Sequence, residues 1–246
     1  MKKVLCLLIT AAFMAGCGHF QDKLGMKTGK DHVSWTNGTL QFSTYTHSGD
    51  ISNNIPAFEV FLKYQDGRNI HMPIDIYALG YGASSPMGEL GFYKPEKLAD
   101  AEILLQTDEK MVLHLKYDPW TIYGEQIILD KQITIYKDSP ILSVIDYYTG
   151  LFELLNIAAG MTTSFTGTVK DIENGYAVEY FHEAGNEPYR VSSVIVMPDV
   201  EEKNTDETFG TVLLKKGVTS NEALHYYIGL SDKGVDYLLE ELDKFL

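Results

Sequence analysis

The 246-residue sequence predicts an all-β fold, a large antiparallel β-sandwich that ends in one C-terminal helix. Three observations carry this expectation. Short runs rich in Val, Ile, Tyr, Phe and Thr alternate in polarity with period two, as half-buried strands do. Turn-forming pairs separate these runs at roughly eight-to-twelve-residue intervals. Only residues 233–246 break the rhythm, with apolar positions at helical spacing.

In chain order, the first segment stands apart from the fold. MKKVLCLLITAAFMAGC opens on Lys2 and Lys3, continues through an apolar run too short to span a bilayer as a helix, and ends on Gly16 and Cys17. It resembles a bacterial lipoprotein signal whose lipobox reads Met14-Ala15-Gly16-Cys17. The resemblance implies removal of residues 1–16, lipidation of Cys17 and residence as an outer-membrane lipoprotein facing the periplasm or the cell surface. A general secretory signal cleaved nearby is the alternative, and both mean export. Cys6 leaves with the signal, so no intramolecular disulfide is available and stability has to come from the core. A chain of about 230 residues buries enough apolar surface for that in a single domain.

Residues 17–32 are polar and contain glycine, which predicts a tether; the domain is expected over 33–246. From Val33 the strands begin. In KMVLHLKYDPW, Met111, Leu113, Leu115 and Tyr117 share one face, with Val112, His114, Lys116 and Asp118 on the other. QITIYKD alternates Ile133 and Ile135 with Thr134 and Tyr136, and SPILSVIDYYTG, FELLNIAAGMTTS, GYAVEYFHEAG, RVSSVIVMPDV, GTVLLKKG and ALHYYIGLS continue the series. Turns are expected at Asn37-Gly38, Asp66-Gly67, Asp108-Glu109, Asn174-Gly175 and Lys216-Gly217. Val235, Leu238, Leu239, Leu242, Phe245 and Leu246 form the apolar stripe of the closing helix.

The formal net charge is −14, and loss of Lys2 and Lys3 with the signal makes it −16. Such a surface is a poor partner for nucleic acid, which needs clustered Lys and Arg. It also repels anionic polysaccharide unless a local basic pocket intervenes, and Arg68 and Arg190 are the only arginines.

Four ordered stretches, GYGASSPMGELGFY, the run from AEILLQTDEK to SVIDYYTG, LNIAAGMTTS and YYIGLSDKG, resemble a bacterial family known as domain-of-unknown-function family 4861. The opening WTNGTLQFSTYTHSG is similar to that family's first strand, although it lacks the arginine-bearing version, and the chain is shorter than typical members. The resemblance extends over most of residues 33–246 and is firmest over 80–163. It implies a sandwich like the galactose-mutarotase supersandwich and a place in polysaccharide utilisation by Bacteroidetes.

Candidate chemistry gathers in two clusters. His71, Asp75 and Tyr77 share parity along IHMPIDIYALGY and as one strand would point together into a cleft rimmed by residues 80–91, Tyr81 among them. The alternative makes Ile70, Met72, Ile74 and Ile76 the core face and leaves the polar set solvated; Pro73 confines such a strand to an edge or bulge. The second cluster is His114, Lys116, Asp118 and Trp120 on one face, followed by Tyr123 and Glu125. It offers a general base, a cation and a stacking ring, but a solvated outer face has the same pattern. Asp146 and Glu153 are lone carboxylates on apolar runs that need a partner or an opening. His182 beside Glu183, and His225 beside Tyr226 and Tyr227, fit structural roles better.

GxSxG, HExxH, GxxxxGK[ST] and a strand-linked GxGxxG are all missing, and no local spacing supports a metal or other cofactor. Two readings remain. An enzyme would act on a sugar or uronate-containing oligosaccharide with His71 or His114 as acid/base and Asp75, Asp118 or Asp146 as partner. A non-catalytic binder would hold a glycan on Trp120, Tyr77, Tyr81 and Tyr93, with Lys116 near; a purely structural lipoprotein is the third possibility.

Overall fold

In the computed structural model, residues 23–46, 57–64, 67–72, 79–89, 91–161, 167–182, 189–206 and 210–246 are described. In chain order, β1 (Gly25–Thr28), β2 (His32–Thr36), β3 (Leu40–Tyr45), β4 (Glu59–Lys63) and β5 (Asn69–Met72) form an antiparallel sheet in sequence order. A hairpin of β6 (Ala83–Gly88) and β7 (Gly91–Phe92) starts a second five-stranded sheet, which β13 (Leu155–Met161), β17 (Glu202–Asp206) and β18 (Gly210–Val218) complete. The largest sheet has nine strands: β8 (Leu98–Gln106), β9 (Lys110–Tyr117), β10 (Trp120–Ile122), β11 (Glu125–Tyr136), β12 (Ile141–Gly150), β14 (Gly167–Ile172), β15 (Gly175–His182), β16 (Tyr189–Val196) and β19 (Ala223–Ser231). Helix α1 (Val235–Leu242) follows.

The two five-stranded sheets meet at an antiparallel bridge between Phe58 and Tyr81, and together they face one side of the nine-stranded sheet. One apolar core fills the space between, with Trp35, Phe42 and Phe58 from the first sheet, Leu113, Ile133 and Ile228 from the nine-stranded sheet and Ala159 and Leu213 from the third. This is the predicted all-β sandwich. The helix lays Leu238 and Leu242 on Ile141, Val194, Val196 and Tyr227, covering part of the nine-stranded sheet's outer face, as its apolar stripe predicts.

Two local expectations change. Gly25–Thr28, read as tether, is an edge strand hydrogen-bonded to β2, with Gly25 opposite Thr36. Its four residues are too few and too polar to register as alternation. Lys216-Gly217 is not a turn between strands: Leu155 pairs with Val218 but Ile157 with Lys215, so β18 carries one extra residue there. Gly217, at φ 64°, supplies the left-handed residue of this bulge.

The sheets also define two ends. At one, Asn37 donates from Nδ2 to the Tyr136 carbonyl at 3.1 Å and Gln106 donates to the Leu24 carbonyl at 3.2 Å, so the N-terminal strand enters there. At the other lie the Gly88, Tyr123, Gly150 and Asn221 turns, one length of β11 away, roughly 40 Å at strand rise.

Candidate functional site

The first predicted cluster divides. Ile70 and Met72 face the core, whereas His71 is half exposed on the outer face of the first sheet, stacked on Phe61 with centroids 4.6 Å apart. Its Nε2 lies 3.9 Å from Glu59 Oε1, which accepts a hydrogen bond from the Tyr45 hydroxyl at 2.9 Å. Pro73, Asp75 and Tyr77 lie outside the described residues, as does Cys17. Tyr81 does not rim a cleft. It is 1% exposed, and burial, followed by the proximity of Tyr180, pushes its phenol well above the ordinary range. The flanking glycines explain its position: Gly80 and Gly82 have φ of 67° and 69°, and a Cβ on Gly82 would lie 2.0 Å from the Phe58 ring. They fold the chain against Phe58 instead of forming an open loop.

The second cluster divides as well. His114 stands on the outer face of the nine-stranded sheet, with Nδ1 3.1 Å from Glu102 Oε1 and Nε2 2.9 Å from Asp130 Oδ1. Both ring nitrogens are therefore engaged. Lys116, exposed, lies opposite Asp130 on β11 and Asp100 on β8. Asp118 leaves that face and pairs with Lys97 at 2.8 Å. The break at Pro119 ends β9, so parity no longer holds beyond it, and Trp120 packs toward the core against Tyr148, with centroids 6.4 Å apart. His225 Nε2 lies 2.8 Å from Ser143 Oγ, and burial lowers its pKa. Among the described residues no cluster of His, Cys, Asp and Glu forms a metal site.

Trp120 instead belongs to an aromatic ledge. Its Nε1 donates to the Tyr93 carbonyl at 3.0 Å; Tyr93 in turn meets Tyr123 edge-on at 5.3 Å, and their hydroxyls are 3.1 Å apart. Gly88 lies beneath both rings: a Cβ there would come within 2.2 Å of the Tyr123 hydroxyl and 2.6 Å of Tyr93 Cε2. Tyr123 is 75% exposed. It occupies the first central position of a two-residue hairpin turn between Ile122 and Glu125, with φ of 51° at Tyr123 and 90° at Gly124. Asn or Gly is usual there, and an aromatic residue at positive φ is uncommon. The other non-glycine residues at positive φ, Asp138, Asn174 and Asn221, are ordinary turn formers.

Behind the ledge runs a buried polar network. Lys131 and Asp146 are paired across β11 and β12, both on the core face and both fully buried. The ammonium donates to Asp146 Oδ2 at 2.7 Å, to the Tyr226 hydroxyl at 2.8 Å and to the Gly82 carbonyl at 3.0 Å, tying the nine-stranded sheet to the joint of the other two. Asp146 Oδ2 also accepts from Ser84 and from Tyr226, and Ser84 is hydrogen-bonded to the Tyr148 hydroxyl at 2.7 Å. Burial lowers the Lys131 amine, with Asp146 opposing the shift, and raises the Tyr148 and Tyr226 phenols, reinforced by Asp146. A chain of contacts thus runs from Lys131 through Asp146, Ser84, Tyr148 and Trp120 to Tyr93 and Tyr123.

A family model described as a domain of unknown function, DUF4861, matches residues 77–236. The chain belongs to the DUF4861 family. No curated protein matches it. The DUF4861 segment contains the ledge and the whole Lys131 network; the five strands of the first sheet, His71 with them, precede it.

Sequence reasoning placed Trp120, Tyr93 and Tyr123 among the candidates but missed Lys131. The signal was present: Ile127, Leu129, Lys131, Ile133 and Ile135 alternate without interruption, which puts a lysine on the apolar face. Glu102 and Asp130, the partners of His114, carried no local signal, because strand pairing alone brings them to the ring.

Proposed function

We propose that this DUF4861 protein is an exported lipoprotein, held at the outer membrane through Cys17 and facing the periplasm or cell surface, that binds a carbohydrate in polysaccharide utilisation. The glycan stacks on the ledge of Tyr123 and Tyr93, with Trp120 as its backing. The observation that carries this reading is Tyr123, an exposed ring kept at positive φ where Asn or Gly would be less strained. Flat apolar rings with a polar edge suit sugar faces, which present CH groups between hydroxyls. The anchor reading agrees with the ledge's position, since the N-terminal strand enters at the opposite end of the sandwich.

A catalytic reading has less support. A general base needs a free nitrogen within reach of substrate, and Glu102 and Asp130 take both of those on His114. The test is an affinity and turnover screen of the full chain in detergent against neutral and uronic-acid oligosaccharides. We expect binding without turnover, unchanged in His71→Ala and His114→Ala and weakened at least about tenfold in Tyr123→Ala. Turnover that disappears with either histidine while binding survives would overturn the binder reading.

A further inference from the structure

Resting on that reading, we infer that the ledge selects uncharged glycans and rejects uronate-rich ones. The rim carries the argument. Glu89, in the β6–β7 turn, directly follows Gly88, whose Cβ position lies 2.2 Å from the Tyr123 hydroxyl, and Glu125 is the exposed residue that closes the Tyr123 hairpin opposite Ile122. Glu153 is exposed in the β12–β13 connection at the same end of the sheets. None of these three carboxylates has a lysine or arginine partner among the described residues.

Of the lysines around the ledge, Lys94, next to Tyr93, is already engaged, and Lys116 stands on the outer face of the nine-stranded sheet, opposite Asp130 and Asp100. Lys97 is paired with Asp118 at 2.8 Å. Arg68 lies over Tyr64, and Arg190 is paired with Glu179. Arg190 lies just before Ser192, which pairs with Ser231 at the Ile141 end of the sheet, and Tyr64 touches Tyr189, so both arginines stand at the end opposite the ledge. A planar, bidentate carboxylate site of the kind uronate recognition uses is therefore missing from the ledge's described residues. The net charge of −14 adds a long-range field of the same sign.

The discriminating probe is one backbone in two charge states: polygalacturonate, and the same polymer fully methyl-esterified, alongside neutral xylan and mixed-linkage glucan, immobilised in affinity gels at low and at 0.5 M salt. The full chain should be retarded by at least one neutral polymer and pass through polygalacturonate at low salt. Glu89→Gln/Glu125→Gln should gain about fivefold in affinity for anionic polymer at low salt, an increment that high salt erases. Tyr123→Ala should lose the neutral retardation. Tyr123-dependent retention on polygalacturonate as strong as on the neutral polymers would overturn the charge inference while sparing the binder reading. Passage through every gel at both salts would count against the binder reading itself, and this inference with it.

Discussion

Lys131→Met removes the ammonium from the buried network and leaves the Asp146 carboxylate in the core with hydroxyl donors only. The lost contacts are three short hydrogen bonds, to Asp146, Tyr226 and the Gly82 carbonyl, all fully buried. Removing one partner of a buried pair costs about 3–5 kcal/mol, because the other charge keeps its desolvation penalty without compensation. For a domain of this size each kcal/mol lowers Tm by roughly 2–4 °C, so a drop of roughly 6–20 °C is expected. Asp146→Leu alone should behave alike, stranding the ammonium. The double variant should recover most of the loss: the Tyr226 hydroxyl still donates to the Gly82 carbonyl at 3.1 Å, and Ser84 and Tyr148 still bond each other at 2.7 Å. Urea unfolding of the four proteins closes the cycle. A coupling below about 1 kcal/mol, with additive single losses, would refute the view that this pair is locked in a dry core.

Further expectations concern the ledge and one surface turn. Tyr123→Asn should raise stability by up to about 1 kcal/mol in urea unfolding, since Asn tolerates positive φ in such a hairpin, while glycan affinity falls; a destabilised variant would mean that packing on Tyr93 outweighs the strain. Gly88→Ala should weaken binding and cost about 1–3 kcal/mol in urea unfolding, because the new methyl would lie 2.2 Å from the Tyr123 hydroxyl and 2.6 Å from Tyr93 Cε2, so both ledge rings must shift. The Glu222 carboxyl is held at about 2, first by Lys215 and then by the amide and hydroxyl of Thr219. A depressed folded pKa stabilises above the unfolded value of about 4.3 and loses that contribution as pH falls toward the folded one. Carboxyl NMR titration should therefore place Glu222 near the bottom of the acid range, and Lys215→Met should move it upward.

The sandwich and its helix were legible because both rest on local periodicity: Met111, Leu113, Leu115 and Tyr117 announce a strand, and Leu238 and Leu242 a helix, wherever they pack. The candidate site was legible only in its residue types. Parity along one strand put His114, Asp118 and Trp120 together, but Pro119 interrupts the strand and sends Trp120 toward Tyr148. The glycines beside Tyr81 suggested an open rim, yet Gly82 admits the Phe58 ring instead. What converges on His114, and what Asp146 binds, depends on register between strands far apart in sequence, which no short-range pattern encodes.

The most direct test of the ledge is hydroxyl-radical footprinting of the full chain with and without a neutral glycan that it retains. Glycan should protect Tyr123, 75% exposed, and Tyr93, while Phe181, 55% exposed at a distant strand, keeps its reactivity. Protection at Phe181 with Tyr123 unchanged would contradict it.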